Sequence, residues 1–254
     1  MPPRKTVKRQ RSTSSAADFV PPRPTIAKLR TASERCRGCD LYACATQVVF
    51  SEGPSRAQLL VVGEQPGDVE DRQGRPFVGP AGKLFDRSME AAGIDRDEIY
   101  LTNAVKHFKW ARDTRSKRRL HKTPTRSEVR ACFPWLANEI AVVQPRIILC
   151  LGAVAAKALL GPTFSVTEKR GVIVESEWAE IVIATVHPSA VLRAPKGERT
   201  RAERMFVADL RKVARELARP AKRAGRGAHK FAGWPIPTAV RSTPSSESIR
   251  PSRA

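Results

Sequence analysis

Residues 63–82 read GEQPGDVEDRQGRPFVGPAG. The apolar run Gln58–Val62 before this stretch has the length and composition of a buried strand. The segment Lys83–Ala92 after it has helical spacing, and Gly93 is placed to end that helix. Between them lie glycines, three prolines, four acidic residues and the ring of Phe77. A strand–loop–helix crossover puts its loop at the carboxyl edge of a parallel sheet, where open α/β folds bind ligands. Gly79-Pro80-Ala81-Gly82 would offer backbone N–H groups at a helix start. The plain alternative is a glycine-rich connector. Four carboxylates and an aromatic ring in one long connection favour a working loop.

The same pattern repeats along the chain. A short helix is expected from about Ile26 toward Cys36. Glu98–Asn103 reads as a second strand, Arg146–Leu151 as a third and Ile181–Thr185 as the last, with a short strand at Val172–Glu175. Helices are expected at Glu128–Val143, with Ser127 as cap and no capping box, then at Ala153–Leu160 and Arg199–Leu217. This alternation predicts a three-layer α/β/α sandwich around a mainly parallel four-stranded sheet. Glu64, Asn103 and His187 then all fall at carboxyl ends of strands, on one edge.

The formal net charge is +21. Residues 1–24 carry +5 and residues 219–254 carry +7, leaving +9 for the middle. Both termini are rich in Pro, Ser and Arg and are expected to be disordered basic tails, leaving one folded domain at 25–218. A basic centre between basic tails points to a polyanion, most simply nucleic acid. Residues 106–126 hold nine Lys or Arg and one acid, without strand or helix period, and read as an exposed basic loop. No apolar run reaches membrane-spanning length and no secretory pattern opens the chain, so no membrane is expected. Five cysteines, with one C-x2-C pair at Cys36 and Cys39, argue for an intracellular chain and against a disulfide framework. That pair alone fits a cluster, a zinc half-site or a redox disulfide. Cys132 is a third candidate ligand, Cys44 reads as spare and Cys150 as a buried strand residue.

GEQPG followed by GRPFVGPAG, and later His187-Pro188-Ser189, resemble the two motifs of the iron–sulfur uracil-DNA glycosylases, and most closely the UdgX type. The resemblance spans about Cys36 to Leu217. It implies uracil-containing DNA as the partner and a 4Fe-4S cluster held by Cys36, Cys39, His107 and Cys132, with His107 where the wider family has a fourth cysteine. It implies Glu64 as the catalytic carboxylate, Phe77 stacking on uracil, Asn103 reading its edge and His187 stabilising the departing base. Ser189 would contact a phosphate, and Gln65 and Arg119 would contribute to substrate binding. The residue that normally wedges into the base stack is leucine; Val191 occupies its place, with Leu192 next. Lys117-Arg118-Arg119-Leu120-His121 differs from the UdgX-type KRRIH motif only at Leu120, so His121 is implied as a nucleophile that leaves the protein attached to DNA. Read without the resemblance, His107 and His121 are solvated histidines in a charge run.

A monomer is expected. The residues alone leave three further classes open. A DNA-binding module without catalysis would use the same basic loop. A phosphate hydrolase has only the glycine-rich loop in its favour, without GxxxxGK[ST] or GxGxxG. A thiol enzyme would need Cys36 and Cys39, which lie remote in sequence from the strand-end cluster.

Overall fold

A computed structural model describes residues 15–116 and 118–220. The strands are β1 (Ser51–Glu52), β2 (Leu59–Gly63), β3 (Ile99–Asn103), β4 (Trp110–Arg112), β5 (Arg119–His121), β6 (Ile147–Leu151), β7 (Ile173–Ser176) and β8 (Ala179–Thr185). The helices are α1 (Ile26–Ser33), α2 (Asp68–Gln73), α3 (Pro80–Ala92), α4 (Arg126–Val143), α5 (Ala153–Leu160), α6 (Val166–Lys169), α7 (Pro188–Leu192) and α8 (Lys196–Ala218).

β3, β2, β6 and β8 are the four expected parallel strands, in that spatial order. The sheet is nevertheless six-stranded and mixed, because β1 and β7 add antiparallel edges. β1 has only two residues, too few to show a sequence period. Every residue of β2, β3 and β6 is buried, as expected of central parallel strands. Leu60 and Val62 face one layer, with Leu136 and Ile140 of α4 and Ala155 and Leu159 of α5. Leu59 and Val61 face the other, with Phe85 and Met89 of α3 and Phe206 and Leu210 of α8. The chain is therefore a three-layer α/β/α sandwich.

Four expectations need correction. The 63–82 connection is not wholly irregular: α2 lies inside it, and the Glu70 carboxylate accepts from Gly67 N at 3.1 Å and Gly79 N at 2.8 Å. The basic loop is not structureless: β4 and β5 pair antiparallel, with Trp110 opposite His121 and Arg112 opposite Arg119. Three-residue strands are too short to reveal a period of two. The cap of α4 is Thr125 rather than Ser127, and Glu128 at N3 completes a capping box. The N-terminal segment is packed from residue 15 onward. A 3-10 turn at Ala16–Phe19 places the fully buried Ala16 against a cluster containing Leu29, Cys36 and Trp135. The expected tails otherwise fall at 1–14 and 221–254, outside the described residues. Among the described residues no helix is long and apolar enough to cross a membrane.

Candidate active site

β2 and β3 run in register, so Gly63 lies beside Asn103. A Cβ built on Gly63 would fall 2.2 Å from Asn103 Oδ1 and 2.7 Å from Phe77 Cζ. Only glycine lets the amide and the ring meet over the strand end. Phe77 has a φ of +58°, the left-handed region that non-glycine residues rarely occupy. Gly82 makes this possible, since a side chain there would strike the Phe77 carbonyl. The ring lies 5.5 Å from that of Phe85, which backs it from α3. Asn103 is steadied from behind. Lys106 Nζ donates to the Asn103 carbonyl at 2.9 Å and pairs with Glu139, and neither charged side chain is exposed.

His187 follows β8 and caps α7. Its Nδ1 accepts from Ser189 N at 3.2 Å, which in the neutral ring leaves the proton on Nε2. The Ser189 hydroxyl lies 2.8 Å from the same nitrogen, so it orients this ring. Burial, then the neighbouring His121 and Arg193, push the His187 pKa down to about 4. It is a neutral donor at physiological pH.

Glu64 projects just past β2. Burial raises its carboxyl above the ordinary range, and Arg193 opposes the rise. Its Oε1 is buried without a hydrogen-bond partner, yet His121 Nε2 lies 3.4 Å away. The distance is that of an ion pair or close approach, but the alignment is not that of a hydrogen bond. Burial and Arg193 lower the His121 pKa, so the ring is neutral near pH 7 and a nitrogen lone pair is available.

The β4–β5 hairpin that carries His121 is fastened at several points. Gln65 Oε1 accepts from Lys109 N at 3.0 Å, and its Nε2 donates to Lys109 O and Lys122 O, each at 3.2 Å. Arg119 pairs with Asp68 and with the fully buried Asp71 (2.6 Å), and donates to Thr46 Oγ1 at 3.1 Å. Trp110 Nε1 donates to Cys44 O at 2.8 Å. Both amide hydrogens of Gln65 are engaged by the hairpin stem, and the Arg119 guanidinium is engaged by two carboxylates. In this structure both residues fasten the hairpin. Glu70, Lys106, Glu139 and Arg193 were not anticipated. The [ST]-x-x-[DE] pattern at Thr125 was a missed local signal, and Glu70 is also local, with partners three and nine positions away; Glu139 depends on tertiary contacts.

Cys36 and Cys132 are buried and Cys39 half-buried, within one cluster that includes Leu29, Phe50 and Trp135. Trp135 Nε1 donates to Cys36 Sγ and Lys106 N to Cys132 Sγ, each at 3.3 Å. The buried His107 follows Lys106 directly. Among the described residues no three His, Cys, Asp or Glu converge on a single ion. A four-iron cluster spreads its ligands around a larger body, and N–H groups directed at sulfur are the surroundings such thiolates take. The donor set fits a cluster better than one ion. Cys44 is exposed and Cys150 lies inside β6, away from this group.

Asn103, Glu64 and His187 thus gather at the carboxyl ends of the parallel strands of an α/β/α sandwich, with Phe77 against the first strand end. The sequence matches the Uracil DNA glycosylase superfamily over residues 50–211, and the chain belongs to that superfamily. It is 35% identical to a type-4 uracil-DNA glycosylase of Pyrobaculum aerophilum, over 67% of this chain and 86% of that protein. It is 34% identical to a type-4 uracil-DNA glycosylase of Sulfurisphaera tokodaii, over 78% of this chain and 87% of that protein. Among solved structures, Pedobacter heparinus SMUG2 covers 64% of this chain and 76% of its own, with a TM-score of 0.43 and 12% identity.

Proposed function

We propose that this protein excises uracil from DNA and remains covalently joined to the abasic sugar through His121. Membership in the superfamily and the likeness to type-4 uracil-DNA glycosylases support the excision. The observation that carries the covalent step is the placement of the neutral His121 ring 3.4 Å from Glu64, on a hairpin fastened by Gln65 and Arg119.

Phe77 stacks on the flipped base, a contact worth ~1–3 kcal/mol. The Asn103 amide offers both a donor and an acceptor to its edge. As the C1′–N1 bond breaks, its electron pair goes to uracil, and His187 donates from Nε2 to the oxygen where charge develops. The Glu64 carboxylate favours the cationic sugar left behind. A His121 nitrogen then forms a bond to C1′ with its lone pair. The proton on the other ring nitrogen passes to solvent, and the uracil anion takes up a proton. Cys36, Cys39, His107 and Cys132 would hold a 4Fe-4S cluster, which supplies a structural tie between the N-terminal segment and α4 rather than redox chemistry.

With uracil-containing DNA, the expected result is one strand per protein, stable to denaturation, with equimolar uracil released. His121→Ser should lose the adduct and continue releasing uracil. An undiminished adduct in that variant would exclude His121, and many turnovers by the unmodified protein would identify an ordinary glycosylase. Protein purified without oxygen should be brown and contain about four irons per chain. A folded, active, iron-free protein would contradict the ligand set.

A further inference from the structure

A nucleotide cannot enter the recess while stacked in a duplex, so something must take its place among the neighbouring bases. Proteins that unstack DNA do this with an apolar side chain inserted from outside. The two residues that sequence comparison offers for this task are poorly placed. Val191 is 2% exposed, inside the core layer of α3 and α8. Leu192 is partly buried against the same layer.

Leu120 is 45% exposed and directly precedes His121. The other exposed large apolar residues among those described are Tyr42, Val172, Ile173 and Met205, none adjacent in sequence to a candidate active-site residue. Strand alternation turns Leu120 to the face of β5 opposite Arg119 and His121. Arg119 is held by a buried carboxylate and His121 lies at the Glu64 side while keeping its own side chain 48% exposed, so Leu120 occupies the other face of the strand, open to solvent. Its surroundings suit DNA. Arg112, Arg118 and Lys122 are exposed on the same hairpin and supply cations for the flanking phosphates. The stem is held by Gln65 and Trp110, so the side chain stands on a rigid support.

We propose that Leu120 is the wedge that fills the gap left in the base stack when uracil flips out. One hairpin strand would thus present the wedge and the histidine at adjacent positions. This inference rests on the proposed excision of uracil, and the experiment separates the two. Uracil release is timed on a U·A duplex and on the same uracil strand alone. Leu120→Ala should lower the duplex-to-single-strand ratio of rates by about tenfold or more, because only the duplex needs unstacking. Leu120→Phe should restore much of that ratio. A 2-aminopurine placed beside the uracil should report slower unstacking in the alanine variant. An unchanged ratio in Leu120→Ala, or a ratio that falls in Leu192→Ala instead, would overturn the assignment. Absence of uracil release from either substrate by the unmodified protein would refute the excision itself, and the wedge with it.

Discussion

Glu64 lies where burial lifts its carboxyl above the ordinary 4.5 while Arg193 pulls the other way. His121, beside it, and His187 both shift downward, His187 to about 4. The sign of the pH dependence follows. The proposed excision needs Glu64 ionised and His187 neutral, and on lowering the pH Glu64 is protonated before His187. Uracil release should therefore fall on the acid side through a pKa above 4.5, before His187 titrates. Rate profiles for the unmodified protein and Glu64→Gln check this. The variant should be slow and should lack that limb; an identical limb in both would assign it to another group. Glu64, Asn103 and His187 were legible in the sequence because each immediately ends or follows an apolar strand. Phe77 was legible only through motif resemblance, since its left-handed conformation depends on the space at Gly82. Gln65 and Arg119 were visible as polar residues near the site, but their partners are 44 or more positions away and no local spacing announces them.

The β4–β5 hairpin carries His121 and Leu120. A run of nine basic residues suggested a solvated loop, yet its two strands are closed by Lys122 N donating to Lys109 O at 2.9 Å. What the charge pattern concealed is that Arg119 faces inward, between two carboxylates and the rings of Phe108 and Trp110. Arg119→Ala would leave the fully buried Asp71 with only Thr46 N as a donor of comparable closeness. Removing one partner of a buried pair costs about 3–5 kcal/mol. The variant should show a lower Tm and faster hydrogen exchange at 110–112 and 119–121. Its adduct yield should fall more than its uracil release, because His121 loses its support while the recess does not. Equal losses of both would mean that the hairpin serves base binding rather than the histidine.

At the scale of the whole molecule, the strand–helix alternation made the three layers readable, and the apolar runs located the four parallel strands to within one or two residues. The edges were only half readable. β7 lies within one residue of the short strand expected at Val172–Glu175, but its antiparallel place at the sheet edge was not legible, and β1, with two residues, is too short to show a period. The packed part of the chain begins earlier than composition indicates, because Ala16 packs against the cysteine cluster without belonging to any long apolar run. Two truncations distinguish the roles. Removing residues 1–14 and 221–254 deletes positive charge, so DNA affinity should weaken at low salt, with a shallower salt dependence and an unchanged Tm. Removing residues 1–24 should in addition lower the Tm and the iron content, and equal Tm values for the two truncations would contradict the packed segment. Covalent capture through His121 is read directly from the mass of the product formed with a short uracil-containing strand. The expected mass is protein plus strand minus uracil, in one-to-one ratio, with the modified peptide carrying the sugar on His121. A product mass equal to unmodified protein, alongside many equivalents of free uracil, would contradict it.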